Sequence, residues 1–232
     1  MAITVDVVRD STGVASTANA LTFTATVNTG SNKLLVVCVM ARDGNAISNV
    51  KWNTNEGLTK AIELLAGNGL IASLWYLINP TSATANVTIT TSGQTFIGGV
   101  ATSLFGVAQT TPLEDTDSLE TNGTDSSFAA LTTTTDGCAL VDGVSTNYTG
   151  TNLGKLAETN FLQRAQFLAN NGSGRDCLGG ALVTKSPAGS VAMGWNLSAV
   201  PANGAHVGAA FKPDGGGGGG GPAVTHFVKM TG

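Results

Sequence analysis

Residues 85–105, ANVTITTSGQTFIGGVATSLF, carry the pattern that decides the fold of this chain. Ala85–Thr91 alternates apolar and polar side chains and is rich in β-branched residues, the period-two signature of a half-buried strand. Ser92-Gly93 is a turn pair, and Thr95–Phe105 reads as a returning strand of small and apolar residues. The stretch therefore predicts a strand, a turn and a second strand.

The same pattern continues on both sides. Upstream, Ile3–Val8, Leu21–Val27 (LTFTATV), Ile47–Trp52, Leu58–Leu65 and Leu70–Ile78 are candidate strands separated by Asn/Gly-rich turns. Lys33–Met40 is a continuous apolar run after a Gly-Ser-Asn turn, as expected of a strand buried on both faces. Downstream, strands are expected at Phe128–Thr134, Cys138–Thr146, Phe161–Leu168, Leu178–Lys185, Ser190–Leu197 and Ala205–Phe211. Only Leu153–Asn170 has room for a helical turn, and Ala108–Ser126 reads as a long surface loop. Strand-to-strand spacing of roughly 8–12 residues points to a sandwich or barrel. Ser73–Phe105 and Gly179–Phe211 also echo each other: strand, Pro-containing turn, strand, turn, Gly/Ala-rich strand ending in Phe. A duplication, the pseudo-symmetry of a sandwich, or chance likeness of two hairpins would each give this signal.

Composition narrows the function classes. The chain has 232 residues, with 11 Lys and Arg, 15 Asp and Glu, and a net charge of −4. Charged residues are 11% of the total, against about 25% in an average globular protein. A coiled coil needs far more Glu, Lys, Arg and Leu, and a disordered chain needs fewer apolar residues than the 42% present. Nucleic-acid binding needs a basic surface that 11 basic residues and a pI near 5.0 do not supply. The longest apolar run, Leu34–Ala41, is too short to span a bilayer. Met1–Asp10 reads as a first strand rather than a secretory signal. Cys38, Cys138 and Cys177 are widely spaced and fit buried free thiols in a protein folded in a reducing cytoplasm.

Few residues suggest chemistry. Any Ser-His-Asp or Cys-His arrangement must use His206 or His226, and neither accompanies a nucleophile-elbow motif. His206 lies in an alternating strand and reads as half-buried. The glycine run contains a dinucleotide-binding pattern only trivially, outside any strand-to-helix context. Glu114–Asp125 (EDTDSLETNGTD) is the metal candidate, with Glu114, Asp115 and Asp117 able to offer oxygens to calcium. It does not follow the EF-hand register, and the prevailing reading of the same residues is a solvated acidic loop. Trp52, Trp75, Trp195, Tyr76 and Tyr148 are the side chains that would stack on a sugar ring in a lectin-like sandwich. Trp75 and Tyr76 are adjacent, so a strand turns them to opposite faces.

Lys212-Pro213-Asp214 ends the strand pattern, and seven glycines follow at Gly215–Gly221. Such a run cannot pack a core and reads as a linker, with a reach of about 20 Å at ~3.1 Å per residue. The coda Pro222–Gly232 (PAVTHFVKMTG) resembles a short strand on a leash. Val224, His226, Phe227, Val228 and Met230 are its candidate contacts with a partner, by strand addition to a neighbouring sheet edge. A frayed tail is the competing reading.

Asn32–Val39 (NKLLVVCV), Leu74–Pro80 (LWYLINP), Ala85–Thr90 (ANVTIT), Gly106–Pro112 (GVAQTTP), Thr132–Val144 (TTTTDGCALVDGV) and Gly204–Pro213 (GAHVGAAFKP) occur in that order. Together they resemble a jelly-roll-like β-sandwich domain of bacteriophage structural proteins and bacterial surface proteins, over about residues 20 to 213. The resemblance implies a rigid, non-enzymatic module on a particle or cell exterior, with no catalytic residues to carry over. The acidic stretch and the glycine tail lie outside it. The expectation is thus an all-β, two-sheet antiparallel sandwich of jelly-roll type over residues 1–213, a Gly-rich linker over 214–222 and a C-terminal arm over 223–232. The expected role is a virion structural protein, either head decoration (cement) or tail fibre. Its expected partners are copies of itself and other virion proteins, with no nucleic acid or membrane. Low surface charge suits dense packing of identical copies. The rival expectation is a carbohydrate-binding module, calcium-assisted or not, that attaches to a host-surface glycan.

Overall fold

A computed structural model describes residues 2–10, 15–121, 126–148, 153–155, 163–170, 175–197 and 203–215. Among them the only helical element is a single 3-10 turn at Gly67–Gly69, and the chain is an all-β antiparallel sandwich, as its alternation requires. The first part carries β1 (Thr4–Asp10), β2 (Ala15–Val27), β3 (Leu34–Ala41), β4 (Ile47–Trp52), β5 (Glu56–Gly57), β6 (Thr59–Leu65), β7 (Ile71–Ile78) and β8 (Ala83–Phe105). The second carries β9 (Leu113–Thr121), β10 (Ser126–Thr133), β11 (Cys138–Tyr148), β12 (Leu153–Lys155), β13 (Gln163–Asn170), β14 (Arg175–Lys185), β15 (Gly189–Leu197) and β16 (Gly204–Phe211).

β8 organises the first part. Ser92-Gly93 does not reverse the chain into a hairpin; the strand runs unbroken for 23 residues. β2 pairs with its first arm and β1 with its second along one edge. On the other edge β4 pairs with the first arm and β3 with the second. The turn signal survives as a bend. Ile89 and Gly99 are ten residues apart, about 33 Å in a straight strand, yet Ile89 Cδ1 lies 2.8 Å from where a Gly99 Cβ would sit. The flanking strands break at the same level, β3 from β4 at Arg42–Ala46 and β2 in its register between Ala15 and Ala20. The first arms thus fold back over the second and enclose a core of Phe23, Val37, Val39, Val50, Trp52, Val87, Ile89 and Ile97.

β3 is buried along its whole length, as its continuous apolar run requires. Val37 and Val39 face the core just described, whereas Leu34, Val36, Cys38 and Met40 face the opposite way. That second face packs on β11 and β16, where Ala139, Val141, Ala205, Val207, Ala209 and Phe211 complete a second core. In the later part β13-β14-β11-β16-β9 form a five-stranded sheet and β10-β15-β12 a three-stranded one. Between these two sheets are buried Leu131, Leu140, Val144 and Met193.

Two expected loops or helices are strands. The acidic stretch expected to be a surface loop forms β9, hydrogen-bonded to β16. Leu153–Asn170 contributes β12 and β13 in its described portions, both antiparallel to their neighbours. The final glycines and the arm lie outside the described residues beyond Gly215.

Candidate functional site

The charged and aromatic candidates are set by strand alternation. In β11 and β16, Ala139, Val141, Ala205 and Val207 face the first part, so Asp142 and His206 point the other way, between the two later sheets. There His206 Nε2 lies 3.0 Å from Asp142 Oδ2, and both side chains have no exposed surface. His206 Nδ1 is buried without a hydrogen-bond partner. His206 is therefore a sealed core residue, not the half-buried strand histidine expected. A histidine beside a carboxylate is a familiar acid–base pair, but one with no solvent contact meets no substrate. On β11 the buried Thr146 shares the face of Asp142, whereas Ser145 lies at a position of opposite parity and points to the other face.

The acidic stretch does a different job from the one its composition suggests. Asp117 Oδ2 accepts the Ala130 N–H at 2.6 Å and Asp115 Oδ2 the Thr132 N–H at 2.6 Å. Glu114 Oε1 accepts the Thr134 N–H at 2.9 Å. The alternate N–H groups of β10 pair with β15, so these carboxylates take over the edge that β15 leaves free. Glu114 also accepts from the Thr134 and Thr135 hydroxyls, and its Oε2 from the Cys138 thiol at 2.7 Å. Partial burial acts to raise the Glu114 pKa, but the hydrogen bonds from Cys138, Thr134 and Thr135 outweigh it and hold it below the ordinary value. Burial, then the bond to Glu114, pushes Cys138 up to about 12. The three carboxylates are thus aimed along the β9–β10 seam rather than at one point. Among the described residues no three His, Cys, Asp or Glu come together as a metal site.

The aromatic candidates behave likewise. Trp52 is fully buried and donates its Nε1–H to Thr81 O at 3.0 Å. Trp75 is buried and donates to Ser73 Oγ at 2.9 Å, with Lys60 Nζ 5.0 Å from its ring centroid. Tyr76 faces the opposite side and meets Phe211 edge-on, ring centroids 5.7 Å apart. Three of the five proposed sugar-stacking side chains are therefore inward-facing; those of Tyr148 and Trp195 lie outside the described set, as does that of Cys177. Val224, His226, Phe227, Val228 and Met230 also lie outside the described residues. Their leash starts from a fixed point: Asp214 donates its N–H to Gly106 O at 2.7 Å and accepts from Asn32 Nδ2 at 2.6 Å.

Sequence reasoning missed the carboxylate seam. Its signal was present in the alternation Asp115-Thr116-Asp117 opposite the Thr-rich Ala130–Thr134, but acidic density was read as loop. Compared with known proteins, the chain matches no family model, no curated protein and no solved structure.

Proposed function

We propose that the protein is a non-enzymatic structural component of the exterior of a bacteriophage virion, a head decoration (cement) protein or a tail or fibre part. One observation carries the reading. The groups that chemistry would need, His206 with Asp142 and the Glu114–Asp117 carboxylates, are engaged in holding strands together. Among the described residues, the outer face of β2 and the first arm of β8 carries neutral hydroxyls and amides, with rungs such as Thr26 to Thr84 at 3.0 Å and Thr24 to Asn86 at 3.2 Å. Such a surface meets copies of itself without like-charge repulsion. Sheet faces supply the contacts, and the arm at Val224–Met230 adds a strand to an adjacent subunit.

Deleting residues 215–232 tests this. The truncated chain is expected to keep its fold by circular dichroism while losing incorporation into particles. Normal incorporation of the truncated chain refutes the arm, and an image of purified particles lacking this chain refutes the virion assignment.

A further inference from the structure

The first half, residues 2–107, and the second, residues 108–215, share one topology. β1, β2, β3, β4, β6 and β7 have their counterparts in β9, β10, β11, β12, β13 and β14, and the two arms of β8 correspond to β15 and β16. Each pairing of the first set recurs in the second, all antiparallel, with only the two-residue β5 left over. Register agrees as well. Val27 faces Ala83 and Thr133 faces Gly189, a shift of 106 positions in both strands. The shift holds along the ladder to Ala20–Thr90 and Ser126–Asn196.

Details independent of topology repeat too. β1 bulges at Asp6 and β9 at Glu114, and each bulged carboxylate accepts the N–H of the residue that follows the next strand, Asn28 or Thr134, at 2.9 Å. The exposed pair Thr26–Thr84 recurs as Thr132–Ser190, both with oxygens 3.0 Å apart. Contacts between the halves are reciprocal: β6 touches β9, and their counterparts β13 and β1 touch each other. An antiparallel bridge has a local two-fold axis between its residues, and among the described residues the isolated bridge that joins the halves links Val107 to Pro213, again 106 apart.

We infer that the chain is a duplicated sandwich, a two-fold dimer fused into one polypeptide, and that the face between its halves is a partner-specific interface. The two faces are complementary rather than alike. The first half presents Leu34, Met40, Leu74 and Leu104, and the second presents Ala139, Ala205 and Ala209 around Val141, Val207 and Phe211. Large and small side chains thus fall at different places on the two faces, so either face against its own copy would overpack at some positions and leave voids at others. The occupant of the first half's face is therefore a second half, of this chain or of another copy. Residues 108–112, between the Val107 bridge and β9, decide which, because a connection too short to fold back hands its half to a neighbour.

Two variants test this. One is a circular permutant opened between Gln109 and Thr110, with Gly232 joined to Met1. It is expected to fold as a monomer, because Asp214 and Ala2 both lie against Gly106 and the second half ends where the first begins. The other lacks Gln109, Thr110 and Thr111; it is expected to elute at twice the monomer mass with unchanged far-UV circular dichroism. Mixing two differently tagged forms of it during refolding gives mixed dimers. A permutant that fails to fold overturns the duplication, and a shortened chain that remains a folded monomer overturns the exchangeable interface.

Discussion

Asp142 and His206 stand where the first half carries Val37 and Gly99, counting from the matched pairs Leu34–Leu104 and Ala139–Phe211. One copy of the sandwich thus fills this place with apolar groups and the other with a hydrogen-bonded pair. Removing one partner leaves a buried polar group without compensation. Asp142→Val is accordingly expected to cost about 3–5 kcal/mol in chemical denaturation. Joint replacement as Asp142→Val with His206→Leu recovers most of that loss, since a well-packed apolar pair is often neutral. The thiols give a second prediction at this scale. Cys38 is buried and held well above its ordinary value, by burial first and by the charge of Asp142 second. Cys138 is pushed up to about 12. Neither is expected to take up iodoacetamide at pH 8 in the native protein, and both label after unfolding, read by peptide mass spectrometry. Glu114 sets an acid limit. Its folded pKa is lowered, so its contribution is present above the ordinary carboxylate value of 4.5 and disappears as pH falls through the lower folded value. Glu114→Gln should flatten that limb of the stability profile and lower stability at neutral pH by about 1–3 kcal/mol.

At the scale of the element, β8 is the strand on which the first half depends. Its bend works because Gly99 has no side chain: a Cβ there would sit 2.8 Å from Ile89 Cδ1 and 2.9 Å from Phe23 Cε1. Gly99→Val is expected to cost about 1–3 kcal/mol through overpacking, measured by urea denaturation. The seam between β9 and β10 makes a separate prediction. Asp115→Ala with Asp117→Ala removes the acceptors of the Thr132 and Ala130 N–H groups, and hydrogen exchange should quicken at those two amides while β11 stays protected. These same elements mark how far sequence carries. Strands such as Ile47–Trp52 and the doubly buried Leu34–Ala41 are readable because alternation and continuous apolarity report burial directly. Ser92-Gly93 misled because a turn pair marks only where the backbone can bend; whether it becomes a hairpin depends on neighbouring strands that the local sequence does not name. β9 was hidden for a related reason. Its Asp and Glu are disfavoured in strands until a neighbouring edge supplies N–H donors, which is tertiary information.

On the scale of the whole molecule, the echo between Ser73–Phe105 and Gly179–Phe211 was visible in sequence, but it covered only the last strands of each half. The earlier strands have diverged in side chain while keeping register, so the match emerges from ladders rather than letters. The candidate site was less legible than the fold. Strand alternation places His206 on a face, yet it does not say that a further sheet covers that face.

The position of β16 has a consequence for load. The chain runs from this strand to Gly215 at the start of the glycine run, and the strand is flanked on one edge by β11 and on the other by β9. Tension on the tail therefore acts along the strand and strains both ladders in shear, many bonds at once, instead of peeling them singly as at a sheet edge. Before that, it meets the Asp214 bonds to Gly106 and Asn32, which act as a first catch. A tether rooted in a central strand resists pull-out better than one rooted at a rim, whatever its far end holds.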